Sequence, residues 1–315
     1  MRRKIFIIGD NPGRLGNLIN RHGHLLAFAA EHGHMLIDVS FLNSARFFPT
    51  LNRNLLQGYP RLPAPPLPLI VLRIAFWCFR RFLWIAPQLE RLTGGLIQRL
   101  DAPYPVTINL ENPDVKAKID HARILLLTGY LFEANGSFKR HGPLIRNQFS
   151  VLKSIQATER AFFGKFRNEA SEIVGVHIRH TDFRTYCDGR WYYTTQQYAK
   201  VMKWYADHFP DRKILFVICS DEQQGAEAFE GLSVYVHRGN FVSDWHALSL
   251  CDRIISTASS FARAAAFLGD VPLLQIYNPD APETHRFLKV EVLEEGWKWH
   301  GQMLEEFGQA PGALR

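Results

Sequence analysis

Cysteine is scarce in this sequence, and its placement excludes two kinds of stabilised scaffold. Cys78, Cys187, Cys219 and Cys251 lie far apart, and no CxxC pair occurs. This pattern fits neither a disulfide framework nor a zinc finger and is typical of a reduced, cytoplasmic protein. An Asp-x-Asp segment that would hold a nucleotide-bound cation is also absent. We therefore expect no metal and no cofactor.

The sequence also contains no convincing secretion leader or membrane span. The N-terminus, MRRKIFIIGDNPG, has too few apolar residues for a signal peptide, so we expect a cytoplasmic protein. Residues 69–86 approach the length of a bilayer span, but Arg73, Arg80 and Arg81 interrupt them. Each arginine near the bilayer centre costs about 2.5–3.5 kcal/mol, which disfavours spanning. Two interpretations remain: a buried amphipathic helix, which we favour, or a basic aromatic helix in peripheral contact with the inner face of the membrane.

The composition is that of a globular protein with excess positive charge. With 315 residues and 47% hydrophobic content, the chain is long enough for two domains and a sizeable core. The formal net charge of +7 favours acidic partners such as nucleotide-sugar phosphates, an anionic membrane or nucleic acid. Positive charge alone would allow only unspecific binding of nucleic acid, so we expect no nucleic-acid partner.

The N-terminal segment has the pattern of a strand, a glycine loop, a helix and a second strand. The first strand is predicted over residues 4–9 and the second over residues 35–39. With the helix between them they form a βαβ unit. The loop contains Gly9, Gly13 and Gly16 but not the GxGxxG spacing, so a dinucleotide fingerprint is not supported. It is either a set of exposed backbone N–H groups facing a ligand or an ordinary tight turn.

The C-terminal half alternates regularly between predicted strands and helices. Predicted strands over 213–220, 233–236, 253–256 and 273–277 are separated by predicted helices over 194–209, 222–229, 243–251 and 259–268. Such alternation indicates a parallel sheet covered by helices. We expect an N-terminal domain over 1–168 with a proline-rich and basic aromatic insertion near 58–90, a ligand-binding domain over 169–285, and a C-terminal helix over 286–315.

The stretch IVGVHIRHTDF, residues 173–183, is the centre of this pattern. A β-branched apolar run predicts a buried strand, and His177, Arg179, His180 and Asp182 follow at its end. Ligands of parallel α/β sheets bind at this end of the strands. A guanidinium group suits a phosphate there, because it stays charged and can bond two oxygens. The alternative is a surface turn in which Arg179 pairs with Asp182.

Two further predicted strands end in polar groups. Asp221 follows the strand KILFVICS, where its carboxylate could accept hydrogen bonds from a guanine edge or a ribose. In STASSFAR, Ser259, Ser260 and Arg263 lie at the start of a predicted helix, where N–H groups and positive charge favour a phosphate. Each feature alone is weak, since such residues often only cap helices. Together they predict one ligand site at the carboxyl ends of three strands.

Several segments, in this order, resemble fucosyltransferases that use GDP-fucose, the superfamily of α-1,2-, α-1,6- and protein O-fucosyltransferases. VGVHIRHTDF is similar to their HxRRxD signature, and GRWYYTTQQYAKVM follows it as in the α-1,2 branch. GRLGNLINRHGHLLAF resembles their GGLGNQ loop and helix, while FVICSDE and DWHALSLCDRIISTASSFARAAAFLG resemble later motifs. The resemblance extends over most of the chain, and the HxR strand is its most specific part.

The resemblance implies an α/β fold of two Rossmann-like domains facing across a cleft, the GT-B arrangement, and inverting transfer from GDP-fucose without a metal. Arg179 would hold the pyrophosphate, and His177 and Asp221 would bind the guanosine. The implied donor-binding residues lie at the strand ends or in the glycine loop: His177, Arg179, His180, Asp221, Ser259, Ser260, Arg263, Gly13, Gly16 and Asn17.

The sequence departs from the family pattern at two places, and it does not identify the catalytic base. His180 stands where the family has a second arginine, and SSFARAAAFLG lacks a tryptophan pair usual in the α-1,2 branch. Transfer needs a base for the acceptor hydroxyl proton, and the candidates are Asp182, Asp188 and Asp10. Asp182 could instead orient Arg179, the catalytic cation in this hypothesis.

These observations together predict a fucosyltransferase that moves fucose from GDP-fucose to a glycan acceptor, with inversion and an α-1,2 linkage. One alternative is a transferase of the same fold that uses another nucleotide sugar. A second alternative, suggested by His180 and the basic aromatic segment, is a catalytically weak relative that binds a glycan or a membrane.

Overall fold

A computed structural model of the chain describes residues 3–11, 13–129 and 131–293. The chain divides into two compact units, residues 1–152 and residues 153–315. Each unit has its own parallel β-sheet, so the fold is mixed α/β, as predicted.

The first unit contains a four-stranded parallel sheet in the order β2-β1-β5-β3 and a small parallel pair, β4-β6. Its strands are β1 (Ile5–Ile8), β2 (Met35–Asp38), β3 (Ile97–Ala102), β4 (Ile108–Asn109), β5 (Ile124–Gly129) and β6 (Phe132–Glu133). Its helices are α1 (Leu15–His32), α2 (Pro49–Asn52), α3 (Leu69–Leu92), α4 (Pro113–His121), α5 (Asn135–Arg140) and α6 (Gly142–Gln148).

The predicted βαβ unit at the N-terminus is confirmed. β1 pairs in parallel with β2, and α1 connects them with an almost wholly buried apolar face. Gly33 ends α1 in the left-handed region at φ 65°, which glycine adopts without steric cost. His22 of α1 has a structural role, since it is fully buried and its Nδ1 lies 2.8 Å from Asp38 Oδ2.

The interpretation of residues 69–86 as a buried helix is right about the helix, α3, but wrong about its burial. The helix forms and continues to Leu92, but only Leu72, Leu83 and Ala86 of its residues are buried. The reason is geometric, because one narrow side of α3 packs on the sheet, where Leu83 and Ala86 contact Leu126. Among the residues that the structure describes, no helix is both long and apolar enough to cross a membrane.

The second unit is built on a sheet in the order β12-β11-β10-β7-β8-β9, parallel except for the antiparallel edge strand β12. Its strands are β7 (Glu172–Ile178), β8 (Ile214–Ser220), β9 (Val234–Val236), β10 (Arg253–Ser256), β11 (Leu273–Gln275) and β12 (Phe287–Leu288). Its helices are α7 (Lys153–Phe166), α8 (Thr195–His208), α9 (Phe241–Ser249) and α10 (Ser260–Gly269).

The alternation predicted for this unit is largely confirmed. Thr194 caps α8 in a capping box with Gln197, and β7 is buried at every residue, as an apolar central strand requires. The predicted helix over 222–229 is only a 3₁₀ turn at Ala226–Phe229. Of the C-terminal helix predicted for 286–315, residues 287–288 instead form strand β12, and residues 294–315 lie outside the described part of the chain.

The boundary between the two units falls after residue 152, earlier than the predicted boundary at 168. Helix α7 belongs to the second unit because it packs against α9 and because its buried Glu159 contacts His237. A helix pattern in the sequence does not show which sheet the helix covers, and this explains the difference.

Candidate functional site

The three strand ends singled out in the sequence lie side by side in the second unit. β7 pairs with β10 on one side, with Ser256 beside His177, and with β8 on the other, with His177 beside Cys219. All three strands run parallel, so their carboxyl ends meet at one edge of the sheet, where open α/β folds bind ligands. The predicted adjacency of the three strand ends is confirmed, and their role as one ligand site stays a prediction.

Arg179 follows the middle strand and is held by two contacts. Its Nε and Nη2 donate to the two carboxylate oxygens of Asp182, at 2.9 and 2.6 Å. Its guanidinium carbon lies 4.5 Å from the centre of the Phe183 ring. The pair with Asp182 predicted as an alternative is therefore present. It occupies two of about five guanidinium N–H donors and leaves the others for a ligand.

His177 points into the protein between β7 and β10. Its Nδ1 lies 3.2 Å from Ser256 Oγ, and its ring stacks on Phe261 at 4.9 Å between centroids. Burial, reinforced by the positive charge of Arg179, lowers the pKa of His177 to about 3. The imidazole is therefore neutral at physiological pH, and it connects the arginine strand to the start of α10.

His180 and Asp221 are both bonded within the loops that follow their strands, and their predicted binding of the donor stays a prediction. His180 is buried, and its Nε2 donates to the carbonyl oxygen of Tyr193 at 2.9 Å. Asp221 accepts hydrogen bonds from the backbone N–H of His180 at 2.8 Å and from the Thr181 hydroxyl. Burial raises the pKa of Asp221, but these hydrogen bonds outweigh it and hold the pKa below its usual value. Both residues thus fix the loop that contains Arg179.

The serine-rich start of α10 lies directly after β10. Ser259 is buried and its hydroxyl accepts from the backbone N–H of Ala262 at 3.4 Å, so it caps the helix. Ser260 is the first residue of the helix, and Arg263 is buried one turn further along. The positive end of the helix dipole therefore points to the same sheet edge as Arg179.

Asp188 differs from the other candidate bases because it is exposed and strained. It lies in a short loop in which Cys187, Asp188 and Gly189 have φ values of 51°, 56° and 73°. Three consecutive left-handed residues, two of them not glycine, are energetically costly and are found mainly at functional sites. The loop is a candidate acceptor contact.

The glycine loop of the first unit is fixed by a buried arginine. Arg21 donates through Nη1 to Asp10 Oδ1 at 2.5 Å and to the Gly129 carbonyl oxygen at 2.7 Å. Asp10 Oδ2 accepts from the Gly129 N–H at 2.7 Å, so both of its oxygens are bonded. Asp10 is therefore a structural carboxylate and a poor candidate for the base.

The remaining predicted residues of this loop are Gly13, Gly16 and Asn17. The Gly13 N–H donates to Asn11 Oδ1 at 3.2 Å, and a Cβ on Gly13 would lie 2.6 Å from Asn17 Nδ2. Gly16 is buried in the first turn of α1. The loop thus has a tight local structure, and donor binding by these three residues stays a prediction.

A cluster that the sequence analysis missed lies after β9. His237 is half-buried between two acids, with Nδ1 2.6 Å from Asp244 Oδ1 and Nε2 3.0 Å from Glu159 Oε2. Burial lowers the pKa of His237, but the two carboxylates outweigh it and raise the pKa to about 9. The sequence held no signal for this contact, because Glu159 lies on α7 and Asp244 on α9.

This cluster also contains the one metal-like grouping among the described residues, Cys219, His237 and Asp244. Its chemistry favours an ion pair over a metal. Both imidazole nitrogens donate to carboxylates, and burial raises the pKa of the Cys219 thiol well above its usual value. A metal would need a thiolate and an imidazole lone pair.

Comparison with known families identifies the chain. Residues 138–300, just over half of the sequence, match the model of glycosyl transferase family 11. The chain belongs to this family. The matched region includes the whole described second unit, with the three strand ends and α10. The resemblance inferred from the motifs is thereby confirmed, and the protein is a glycosyltransferase.

Solved structures share the fold of this family 11 glycosyltransferase. A mutant of Arabidopsis thaliana FUT1 in complex with GDP superposes with a TM-score of 0.60 at 13% identity, over 89% of this chain and 72% of that one. NodZ, an α-1,6-fucosyltransferase soaked with GDP-fucose and known from Bradyrhizobium, gives 0.54 at 14% identity, over 91% and 99%. POFUT1 in complex with GDP gives 0.50 at 10% identity, over 85% and 95%. No curated protein sequence matches significantly.

Proposed function

We propose that this family 11 glycosyltransferase moves fucose from GDP-fucose to a hydroxyl group of a glycan, with inversion and an α-1,2 linkage. The observation that carries the proposal is Arg179 at the tip of the central strand, beside the positive end of α10. Structural relatives with this fold were solved with GDP or GDP-fucose. The predicted GT-B arrangement of the two units is part of the proposal.

The leaving diphosphate is stabilised electrostatically in this proposal. Asp182 bonds one edge of the Arg179 guanidinium and so orients its other N–H groups. The dipole of α10 and the buried charge of Arg263 add positive potential at the same sheet edge. Preorganised charges of this kind favour the transition state, in which the diphosphate gains negative charge.

The guanosine is bound on the same side of the sheet. His177 stays neutral and keeps Phe261 stacked at the start of α10. Asp221 and His180 fix the backbone of the loop after β7, so they position Arg179 for the phosphates. In this proposal they act on donor binding through the loop.

The acceptor proton goes to Asp188. Asp182 is engaged by Arg179 and Asp10 by Arg21, whereas Asp188 is exposed on a strained loop nine residues after the arginine. A carboxylate open to solvent can approach an acceptor hydroxyl without breaking an existing ion pair.

The decisive experiment is calorimetry of GDP, UDP and ADP with the full chain and with Arg179→Ala. We expect a preference for GDP, and a loss of about tenfold to a hundredfold in affinity for the variant, since a charge-assisted bond contributes about 1.5–3 kcal/mol. Arg190→Ala removes an exposed arginine from the neighbouring loop and is the matched control. Equal affinity for the three nucleotides, or an unchanged affinity in Arg179→Ala, would contradict the proposed donor site.

A second candidate function is donor binding without efficient transfer. It is favoured by His180, which stands where the family has a second arginine and whose imidazole bonds the Tyr193 carbonyl. GDP-fucose turnover with a panel of glycans separates the two: binding of GDP without transfer to any glycan supports this alternative. Linkage analysis of a product tests the α-1,2 assignment.

A further inference from the structure

Exposed apolar side chains are concentrated on helix α3. Among the described residues, sixteen large hydrophobic side chains are exposed, and eight of them belong to this one helix. They are Leu69, Ile70, Val71, Ile74, Trp77, Phe82, Trp84 and Leu92. Trp84 is 74% exposed and Leu92 83% exposed. Contiguous apolar exposure on this scale marks an interaction surface, whereas single exposed residues do not.

Most of the exposed residues share the side of the helix opposite the packed one, and Leu69, Val71 and Phe82 lie on its flanks. Ile70, Ile74, Trp77 and Trp84 follow one another at intervals of three, four or seven residues, which places them on one side. The buried residues Leu72, Leu83 and Ala86 lie on the other side, against the sheet. α3 therefore presents an unpartnered apolar face along its 24 residues, about 36 Å.

Arginines accompany this face. Arg73, Arg80 and Arg91 are exposed and spaced by seven and eleven residues, so they lie in one row along the helix. Arg81 lies within the apolar face, and its guanidinium carbon is 5.2 Å from the Trp77 ring centre. Glu90 is the single acid of the helix, which leaves it three positive charges in excess.

We propose that this α3 face, consisting of the eight apolar residues and the four arginines, docks the protein on an anionic membrane surface. The helix lies in the plane of the interface with its tryptophans and aliphatic side chains at the acyl boundary and its arginines among the phosphates. Tryptophan and arginine together are typical of this interface.

Charge distinguishes a lipid surface from a second copy of the chain. A symmetric dimer through α3 would bring the same face of both copies together. Eight arginines would then meet two glutamates, and the repulsion opposes such a contact. An anionic lipid surface instead supplies phosphates for every arginine and acyl chains for the apolar side chains. A soluble partner with an acidic surface would supply negative charges for the arginines but no acyl chains for the apolar side chains.

The test is co-sedimentation of the full chain with vesicles of phosphatidylcholine alone and of phosphatidylcholine mixed with phosphatidylglycerol. We expect binding to the anionic vesicles that weakens with salt, and little binding to the neutral ones. Trp77→Ser/Trp84→Ser should reduce the vesicle affinity by about tenfold or more. Arg80→Gln/Arg81→Gln should reduce it by a similar factor, since each basic residue contributes about fivefold.

Two matched controls separate the face from general effects. Val106→Ser removes an exposed apolar residue outside α3, and Lys165→Gln/Lys203→Gln removes two positive charges from the second unit. Both should bind anionic vesicles like the unaltered protein. A melting temperature equal to that of the unaltered protein would show that the α3 variants are folded. Their affinity for GDP would show whether the donor site is intact.

Three outcomes would overturn the proposal. They are the absence of binding to anionic vesicles, an equal loss of binding in the control variants, and a dimer in solution that the α3 variants abolish while vesicle binding stays absent. The last outcome would assign the face to a second copy. None of these results depends on whether GDP-fucose is the donor.

Discussion

At the scale of single residues, most polar groups at the candidate site have partners within the protein. Arg179 bonds Asp182, His180 bonds Tyr193, and Asp221 bonds the loop at Thr181. The sequence located these residues at strand ends and offered the local pair of Arg179 with Asp182 as an alternative, but it could not show the more distant partners of His180 and Asp221. Two of the contacts join residues 13 or more positions apart, and only folding brings them together.

This residue-scale geometry separates the three candidate bases and gives the first prediction. Asp188→Asn should lower the rate of transfer by about 10²–10⁴-fold, the usual contribution of a general base. The affinity for GDP should stay within about twofold, because Asp188 makes no donor contact in this proposal. Steady-state transfer kinetics and calorimetry measure the two quantities.

Asp211→Asn is the matched control, since Asp211 is an exposed aspartate elsewhere in the second unit. It should leave both quantities unchanged. If Asp188→Asn retains full activity while Asp182→Asn loses it without weaker GDP binding, Asp182 is the base.

At the scale of elements, the sequence predicted the type of many helices and strands but not what packs against them. The pattern of residues 69–86 indicated a helix, and α3 includes this segment and continues to Leu92, but the burial of α3 depends on how much of the sheet lies beneath it. Edge strand β3 was missed for the related reason that Gln98, Arg99 and Asp101 interrupt its apolar pattern. Strand β7, buried on both faces, was evident from composition alone.

The close contact between β7 and α9 gives the second prediction. A Cβ on Gly175 would lie 2.8 Å from Leu248 Cδ2 and 2.9 Å from Cys251 Sγ. Both neighbours are buried, so Gly175→Ala should reduce the free energy of unfolding by about 1–3 kcal/mol. Urea denaturation measures the change.

Gly164→Ala is the matched control within α7. A Cβ there would contact nothing within 4 Å, and alanine is favoured over glycine in a helix by about 0.5–1 kcal/mol. This variant should be at least as stable as the unaltered protein. A Gly175→Ala protein of equal stability would show that α9 can move away from the sheet.

The third prediction concerns His237, which connects α7, β9 and α9. Its folded-state pKa of about 9 exceeds the ordinary value of 6.5, because the Asp244 and Glu159 carboxylates outweigh the effect of burial. The charged imidazole therefore stabilises the fold fully below pH 6.5, and this stabilisation is lost as the pH rises through about 9. The loss in the free energy of unfolding should be on the order of 3 kcal/mol.

Denaturation of the unaltered protein and of His237→Gln across this pH range tests the prediction. The variant should be less stable by about 3–5 kcal/mol at neutral pH, because the carboxylates of buried Glu159 and half-buried Asp244 lose their cation. It should also lack the pH dependence between 6.5 and 9. His208→Gln alters an exposed histidine of α8, and this control variant should retain the pH dependence of the unaltered protein. An identical pH profile in His237→Gln would assign the dependence to other groups.

At the scale of the whole molecule, the regular alternation after residue 169 was sufficient to predict a parallel sheet and the adjacency of its polar strand ends. Parallel strands place their carboxyl ends together wherever the strands themselves lie in the sheet. The boundary between the units and the contact of His237 with Glu159 were not predictable, because both depend on which sheet α7 covers. Local periodicity determines elements, whereas long-range packing determines their neighbours.

Charge across the whole chain gives the last prediction, that transfer needs no divalent cation. The sequence has no Asp-x-Asp segment and a net charge of +7, and the proposed diphosphate site combines Arg179 with the start of α10. Arginine and a helix dipole can neutralise a leaving diphosphate in place of a metal. Treatment with EDTA should therefore leave the transfer rate within about twofold, and added Mg²⁺ or Mn²⁺ should not rescue Arg179→Ala. A large loss of activity in EDTA that Mn²⁺ restores would instead show that a metal neutralises the diphosphate, and Arg179 would then be needed mainly for donor binding.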